Sequence, residues 1–250
     1  MEMLSATNTE MNYDDICLKV WNQYTRLKSV PTPSGKSRQC LLPPPPRNKR
    51  VEVLVVGMSP NNNPAIRYEQ TLPLAQDFAR VFEYVSGNRK SDRNLYYDPY
   101  YKPLLDLVRK LSREYGVWWQ VEAGQSGKLV EFTDALHVAT EPRSEDFAQL
   151  TDDVAPDDAL RAECLEILRM EIALYRPRVV VCNGKFPSDL IFKLCTGYRM
   201  GFNPPVATML TNTKLGCNVH FMNFYNQKNV DGFSRLRIAQ EIRRELKSLS

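Results

Sequence analysis

The sequence predicts an α/β fold, a three-layer sandwich around a central four-stranded, mostly parallel sheet. Three observations lead there. Four short runs rich in β-branched or aromatic residues are spread along the chain, at Val51–Gly57, Val130–Asp134, Arg178–Gly184 and Asn218–Phe224. Such runs fit a pleated, covered surface. Segments with apolar residues three and four positions apart lie between them, and alternating strands and helices favour parallel pairing with both faces covered. The first and third runs also end in glycine and polar residues, the usual surroundings of a ligand site at strand ends.

In chain order, residues 1–12 carry no pattern. Tyr13–Leu27 places Ile16, Val20, Trp21 and Tyr24 at near-helical spacing, with acids early and bases late, and predicts a helix packed on the main domain. Residues 30–50 form a connector with Pro31, Pro33 and four prolines from Pro43 to Pro46, interleaved with Lys36, Arg38, Arg47, Lys49 and Arg50. Consecutive prolines hold polyproline II, so the connector reads either as a solvated linker or as a stiff basic arm against phosphates. The expected division is residues 1–50, helix and linker, and residues 51–250, the α/β domain. Five of the six residues from Val51 to Val56 are apolar and four are valine. Gly57 ends this strand, and Ser59, Pro60, Asn61, Asn62 and Asn63 form a polar loop with too few glycines for a dinucleotide fingerprint and no phosphate-loop ending.

Helices are expected over residues 74–84 and from Leu104 to Tyr115. Between them lie a basic loop from Gly87 to Ser91 and four tyrosines from Tyr96 to Tyr101, which either stack bases or pack on the core. The second strand ends at Asp134, with His137 just beyond. Residues 141–158 are acidic and loop-like. Ala159–Tyr175 is a strong helix, with Leu160, Cys164, Ile167, Leu168 and Ile172 recurring at three- and four-residue intervals, and Arg176-Pro177 stops it. A valine strand, the turn Asn183-Gly184, a helix from Pro187 to Leu194, the fourth strand and a final helix from Phe233 to Leu249 complete the chain.

The hydrophobic fraction of 43% and charged fraction of 25% over 250 residues are those of an ordinary globular protein. A net charge of +4 permits a polyanionic partner without demanding one. No apolar run approaches the roughly 20 residues that span a bilayer, and the first 13 residues lack the apolar core of a signal peptide. A cytoplasmic monomer without membrane contact is expected. The six cysteines are scattered with no C-x-x-C pair, which favours structural thiols over a metal site.

The order of these pieces resembles the uracil-DNA glycosylase superfamily, over roughly Val51 to Leu246. The residues that carry the resemblance are VLVVGMSPNNNP, the strand end EFTDALH, the segment ECLEILRMEIALYRPRVVVCNGK and the late loop NFYNQKNVDGF. It implies a glycosylase-like α/β fold, DNA as partner, a nucleotide flipped from the stack, and hydrolysis of the N-glycosidic bond with no metal or organic cofactor.

Four departures from the superfamily's pattern shape the expected substrate. The third position of the first motif often holds Asp or Asn there; here it is Ser59, which cannot stabilise an oxocarbenium-like sugar as a carboxylate can. Asn61, Asn62 and Asn63 are the candidates to orient water, or they make a turn of αL-tolerant residues, and Glu69 or Asp77 is a candidate carboxylate. Many relatives carry Asn where Asp134 stands. An ionised Asp only accepts hydrogen bonds, which fits the amino group of cytosine and repels the uracil carbonyl; the alternative is a turn or N-cap carboxylate. Asn61 replaces a tyrosine that crowds the pyrimidine 5-position, leaving room for a 5-substituent. The late loop lacks the usual His-Pro-Ser. There Asn226 or Gln227 is placed to donate to the base, Lys228 and Asn229 to meet DNA, and His220 lies upstream within the strand. Tyr68 is assigned to stack on the base, and Lys185 to contact DNA or simply to open a helix. His137 reads more readily as a polar rim residue beside the base than as a catalyst.

The resulting expectation is a divergent member, of the kind that acts against phage DNA: a monofunctional DNA glycosylase that removes a 5-modified cytosine, such as glucosylated hydroxymethylcytosine, and leaves an abasic site. The alternatives are a uracil or damaged-base repair glycosylase, a non-catalytic DNA-binding module, and an α/β enzyme acting on a small nucleotide.

Overall fold

A computed structural model describes residues 12–40, 42–43, 51–59, 130–141, 146, 150, 157–200, 208–211, 213–222 and seven positions between 237 and 245. The expected helices over 74–84 and 104–115, the connector's Arg47, Lys49 and Arg50, and the tyrosine cluster lie outside these residues.

The first helix, α1, is Tyr13–Leu27, as its spacing predicts. Asn12 caps it by accepting a hydrogen bond from the Asp14 amide at 3.1 Å, and Asp14 and Asp15 sit where the helix dipole favours negative charge. Strand β1 is Val53–Gly57 and strand β2 is Val130–Asp134. Helix α2, Asp157–Tyr175, begins two residues earlier than expected. It ends at Arg176, which takes a positive φ of 49° before Pro177 and donates its amide to Ile172 at 2.9 Å. That is a left-handed stop built on a non-glycine residue. Strand β3 is Val179–Asn183, helix α3 is Lys185–Thr196, strand β4 is Thr208–Leu210 and strand β5 is Asn218–Met222. The described positions between 237 and 245 are helical, within the expected terminal helix.

The sheet has five strands in the order β2-β1-β3-β5-β4. The four expected strands pair in parallel, with Gly57 level with Asp134 and Asn183 level with Met222. The expectation of four strands is corrected by β4, which runs antiparallel to β5 at the edge. Three residues are too few to show a period of two, so this strand exists only through its partner.

Both faces of the sheet are buried, as near-continuous apolar strands require. Leu54, Val56, Val180, Cys182, Val219 and Phe221 join one apolar cluster with Ile16, Val20 and Leu27 of α1, Cys164 and Leu168 of α2, and Leu190 and Ile191 of α3. On the other face Val53, Val55, Val179, Val181 and His220 are buried. His220 lies 3.0 Å from Glu245, which brings the terminal helical residues to that face. All six cysteines are buried free thiols. Burial pushes the Cys17 and Cys164 thiols up to about 12, so they act as small apolar groups.

The connector departs most from expectation. Arg38 is neither solvated nor available to phosphate; it is fully buried. Its guanidinium faces Asp146 in a bidentate pair at 2.5 and 3.1 Å. Further donations go to the carbonyls of Val30 at 2.8 Å, Pro31 at 3.3 Å and Ala139 at 3.3 Å. Asp146 also accepts from the Glu141 amide at 2.7 Å. Cys40 forms an antiparallel bridge with Val138, and Tyr13 donates to the Pro43 carbonyl at 2.7 Å. The described part of the connector, up to Pro43, is therefore a strap across the segment that leaves β2.

Removing one member of a buried ion pair strands its partner in a low dielectric, at a cost of about 3–5 kcal/mol, whereas replacing both by apolar residues is often neutral. Arg38→Met is expected to lower stability by that amount in urea unfolding. Arg38→Met with Asp146→Leu recovers most of the loss, and a double-variant loss equal to the sum of the two single-variant losses would show that the pair is not a unit.

Candidate functional site

The carboxyl ends of the parallel strands bring Gly57, Asp134, Asn183 and Met222 to one edge of the sheet. The chain leaves β1 for β2 on one side and reaches β3 on the other. That makes the ends of β1 and β3 the topological switch point, where ligands of open α/β sheets bind. Asn183 is fully buried there. Gly184 takes a φ of 126° at the turn into α3, a conformation that favours glycine. Lys185 is the first residue of α3 and is exposed.

The segment after β2 is fastened to the loop after β1. Ala135 and Leu136 donate their amides to the carbonyls of Gly57 and Met58 at 2.9 and 3.0 Å, extending the ladder past the strand ends. The Ser59 hydroxyl lies 2.6 Å from that of Thr140. Residues 135–141 contain no helix, so Asp134 caps none there and stands as a strand-end carboxyl. Ser59, Asp134 and Thr140 thus belong to neighbouring turns of one edge, and Lys185 opens the helix beyond β3. The other residues singled out in the sequence, Asn61, Asn62, Asn63, Tyr68, Asn226, Gln227, Lys228 and Asn229, lie outside the described residues, as do Glu69 and Asp77.

Beneath Asp134 is a buried polar cluster. Glu171 projects from α2 with no exposure. The Thr133 hydroxyl donates to one of its oxygens at 2.8 Å, and His137 Nε2 lies 2.8 Å from the other. His137 is 1% exposed, so it is a buried partner of Glu171 and not a rim residue. Thr32 donates to Glu141 at 2.7 Å, and Ser34 reaches the same oxygen, so the strap also closes over the far end of this segment.

Asp134 is itself 9% exposed. Burial pushes its carboxyl from 3.8 up to about 7; the His137 charge opposes the rise and the Glu171 charge adds to it. A carboxyl that changes state near neutrality, at a strand end beside a switch point, has the character of a functional group. It also changes what the residue can recognise. Ionised, Asp134 only accepts hydrogen bonds; protonated, it offers a donor and an acceptor side by side.

Glu171 and Thr140 were not singled out from the sequence. For Glu171 a signal existed. Cys164, Leu168, Glu171 and Tyr175 follow one another at four-, three- and four-residue steps, so an acid occupies a core position of an otherwise apolar stripe. Thr140 carries no such signal, because its partner Ser59 is 81 residues away. No protein-family model matches the chain, and comparison with curated proteins gives no match.

The raised Asp134 carboxyl sets the sign of a pH effect. Below about 4 it is protonated in both folded and unfolded chains and contributes nothing. Between about 4 and 7 the unfolded chain has lost the proton and the folded chain keeps it, so stability falls as pH rises, by on the order of 4 kcal/mol in total. Asp134→Asn removes this slope. Its urea midpoint relative to the parent protein is expected to rise from pH 4 to pH 8; a constant difference would show that Asp134 titrates normally.

Proposed function

We propose that the chain is a monofunctional DNA glycosylase. It reads the Watson–Crick edge of a flipped pyrimidine with Asp134 and hydrolyses the bond between the base and C1′, with a 5-modified cytosine as the favoured base. The observation that carries this reading is the Asp134 carboxyl, buried, raised to about 7 and set at the carboxyl edge of a parallel sheet, level with Gly57. The three quoted segments that resemble the uracil-DNA glycosylase superfamily and have described residues also support it. They coincide with β1 and its exit, with the end of β2, and with the run from α2 through β3 into α3.

In its neutral form Asp134 donates to N3 of cytosine and accepts from the N4 amino group, a two-point match. Its ionised form accepts from N4 alone and faces the N3 lone pair. The neutral form also matches uracil, accepting from N3–H and donating to O4, so the expected rejection of uracil belongs to the ionised state. In the reaction, the oxygen of a water bonds to C1′ as the C1′–N1 bond breaks. The electron pair of that bond leaves with the base, which then takes up a proton, and an abasic site remains. Asn61, Asn62 and Asn63 are assigned to hold the water, and Asn226 and Gln227 to meet the leaving base. Ser59 supplies no carboxylate, and its hydroxyl lies against Thr140, so water orientation replaces charge stabilisation at that position. The same observation favours, as a second reading, a DNA-binding module without hydrolysis.

The test is base release from matched duplexes containing uracil, cytosine, 5-hydroxymethylcytosine or its glucosylated form, scored as alkali-labile sites across pH 5.5–8.5. Release from modified cytosine is expected, reduced roughly 100-fold or more in Asp134→Leu, which offers neither donor nor acceptor, with any uracil release confined to the acid side. Release from uracil alone at all pH values overturns the Asp134 assignment. Salt-dependent binding with no release from any duplex establishes the second reading.

A further inference from the structure

A carboxylate wholly removed from water carries a desolvation cost that only close polar or charged partners offset. Glu171 occupies such a place on the core face of α2. Its two oxygens are divided between Thr133, the residue before Asp134, and His137, three residues after it, each at 2.8 Å. Both partners are themselves buried, at 7% and 1% exposure. One side chain from the helix layer thus grips the two flanks of the strand end that carries the candidate reading group.

The geometry points to the Glu171–His137 pair as a positioning device for Asp134: it fixes the end of β2 from both sides of that residue. This deepens the glycosylase reading and rests on it for the identity of the base. Among the described residues, groups from two elements feel the pair's charges. From α1, Tyr13 and Cys17 feel the Glu171 charge, and burial pushes both upward, Cys17 to about 12, so both stay neutral through the physiological range. From β2 comes Asp134, on which His137 and Glu171 act with opposite sign. The pair therefore acts on the same carboxyl from two directions, with His137 opposing its protonation and Glu171 favouring it.

The test uses the full chain and two readouts. Carbon-13 NMR of the side-chain carboxyls follows the Asp134 signal, identified by its loss in Asp134→Asn. In His137→Asn its midpoint is expected to rise by about one pH unit, because the cation that opposes protonation is gone. Glu171→Gln keeps the side chain's size and serves as the second variant should the first fail to fold; it too must displace the midpoint. An unmoved midpoint in the folded variants overturns the proposal, since a merely structural pair would not be felt by Asp134. The second readout is single-turnover base release, expected to fall roughly 100-fold in Glu171→Gln with duplex affinity unchanged, as misplacement of a reading group predicts. A displaced midpoint in a protein that releases no base from any duplex sinks the glycosylase reading and leaves the positioning pair standing. Base release at the parental rate in Glu171→Gln overturns the positioning role.

Discussion

A guanidinium taken fully out of water is tolerated only when its donors are met and its charge is balanced. Arg38 satisfies both conditions at once, through Asp146 and the carbonyls of Val30, Pro31 and Ala139. Those four groups come from the connector, from the segment leaving β2 and from Asp146 beyond it. A single buried charge thereby fixes the mutual position of the connector, the segment after β2 and Asp146. Thr140, next to Ala139, meets Ser59, and Glu141 is held by Asp146, Thr32 and Ser34. The edge of the candidate site is as firm as this pair makes it.

The same principle operates one layer deeper. Glu171 is buried in the helix layer, and Thr133 and His137 answer it. The segment 133–141 therefore lies between two charged anchors, Arg38–Asp146 on one side and Glu171–His137 on the other. Asp134 sits between them with little exposure and a carboxyl raised to about 7. Perturbation of a carboxyl at a strand end follows from this arrangement: burial raises it, the His137 charge opposes the rise and the Glu171 charge adds to it. A loop held only by backbone turns would leave Asp134 nearer to solvent and nearer to the ordinary carboxylate range.

His220 shows why burial alone does not mark a functional residue. It is as deeply buried as Glu171, but it lies in mid-strand, level with Val181 and away from the carboxyl edge. Its contact with Glu245 ties the terminal helical residues to the sheet. Place in the topology separates the two histidines: His137 follows the end of a parallel strand, and His220 lies inside one.

The sequence by itself determined the parallel strands and the described helices, because each is a local pattern. Valine runs set β1 and β3, the apolar spacing of Tyr13–Leu27 set α1 to the residue, and Asp134 was recognisable as the last residue of its strand. It also contained the anomaly of Glu171 on an apolar stripe, although not the partners that give the anomaly meaning. Only the tertiary structure decided that Arg38 is a core residue and not a phosphate-binding arm. Its acceptor Asp146 lies 108 residues away, and a basic, proline-rich composition says nothing about such a partner. The same holds for the three-residue β4, which has no period of its own, for His137, whose burial depends on α2 packing behind β2, and for the protonation of Asp134. Local patterns record which face of an element is apolar. Desolvation and long-range charge depend on what that face meets, and that is settled only when the layers close.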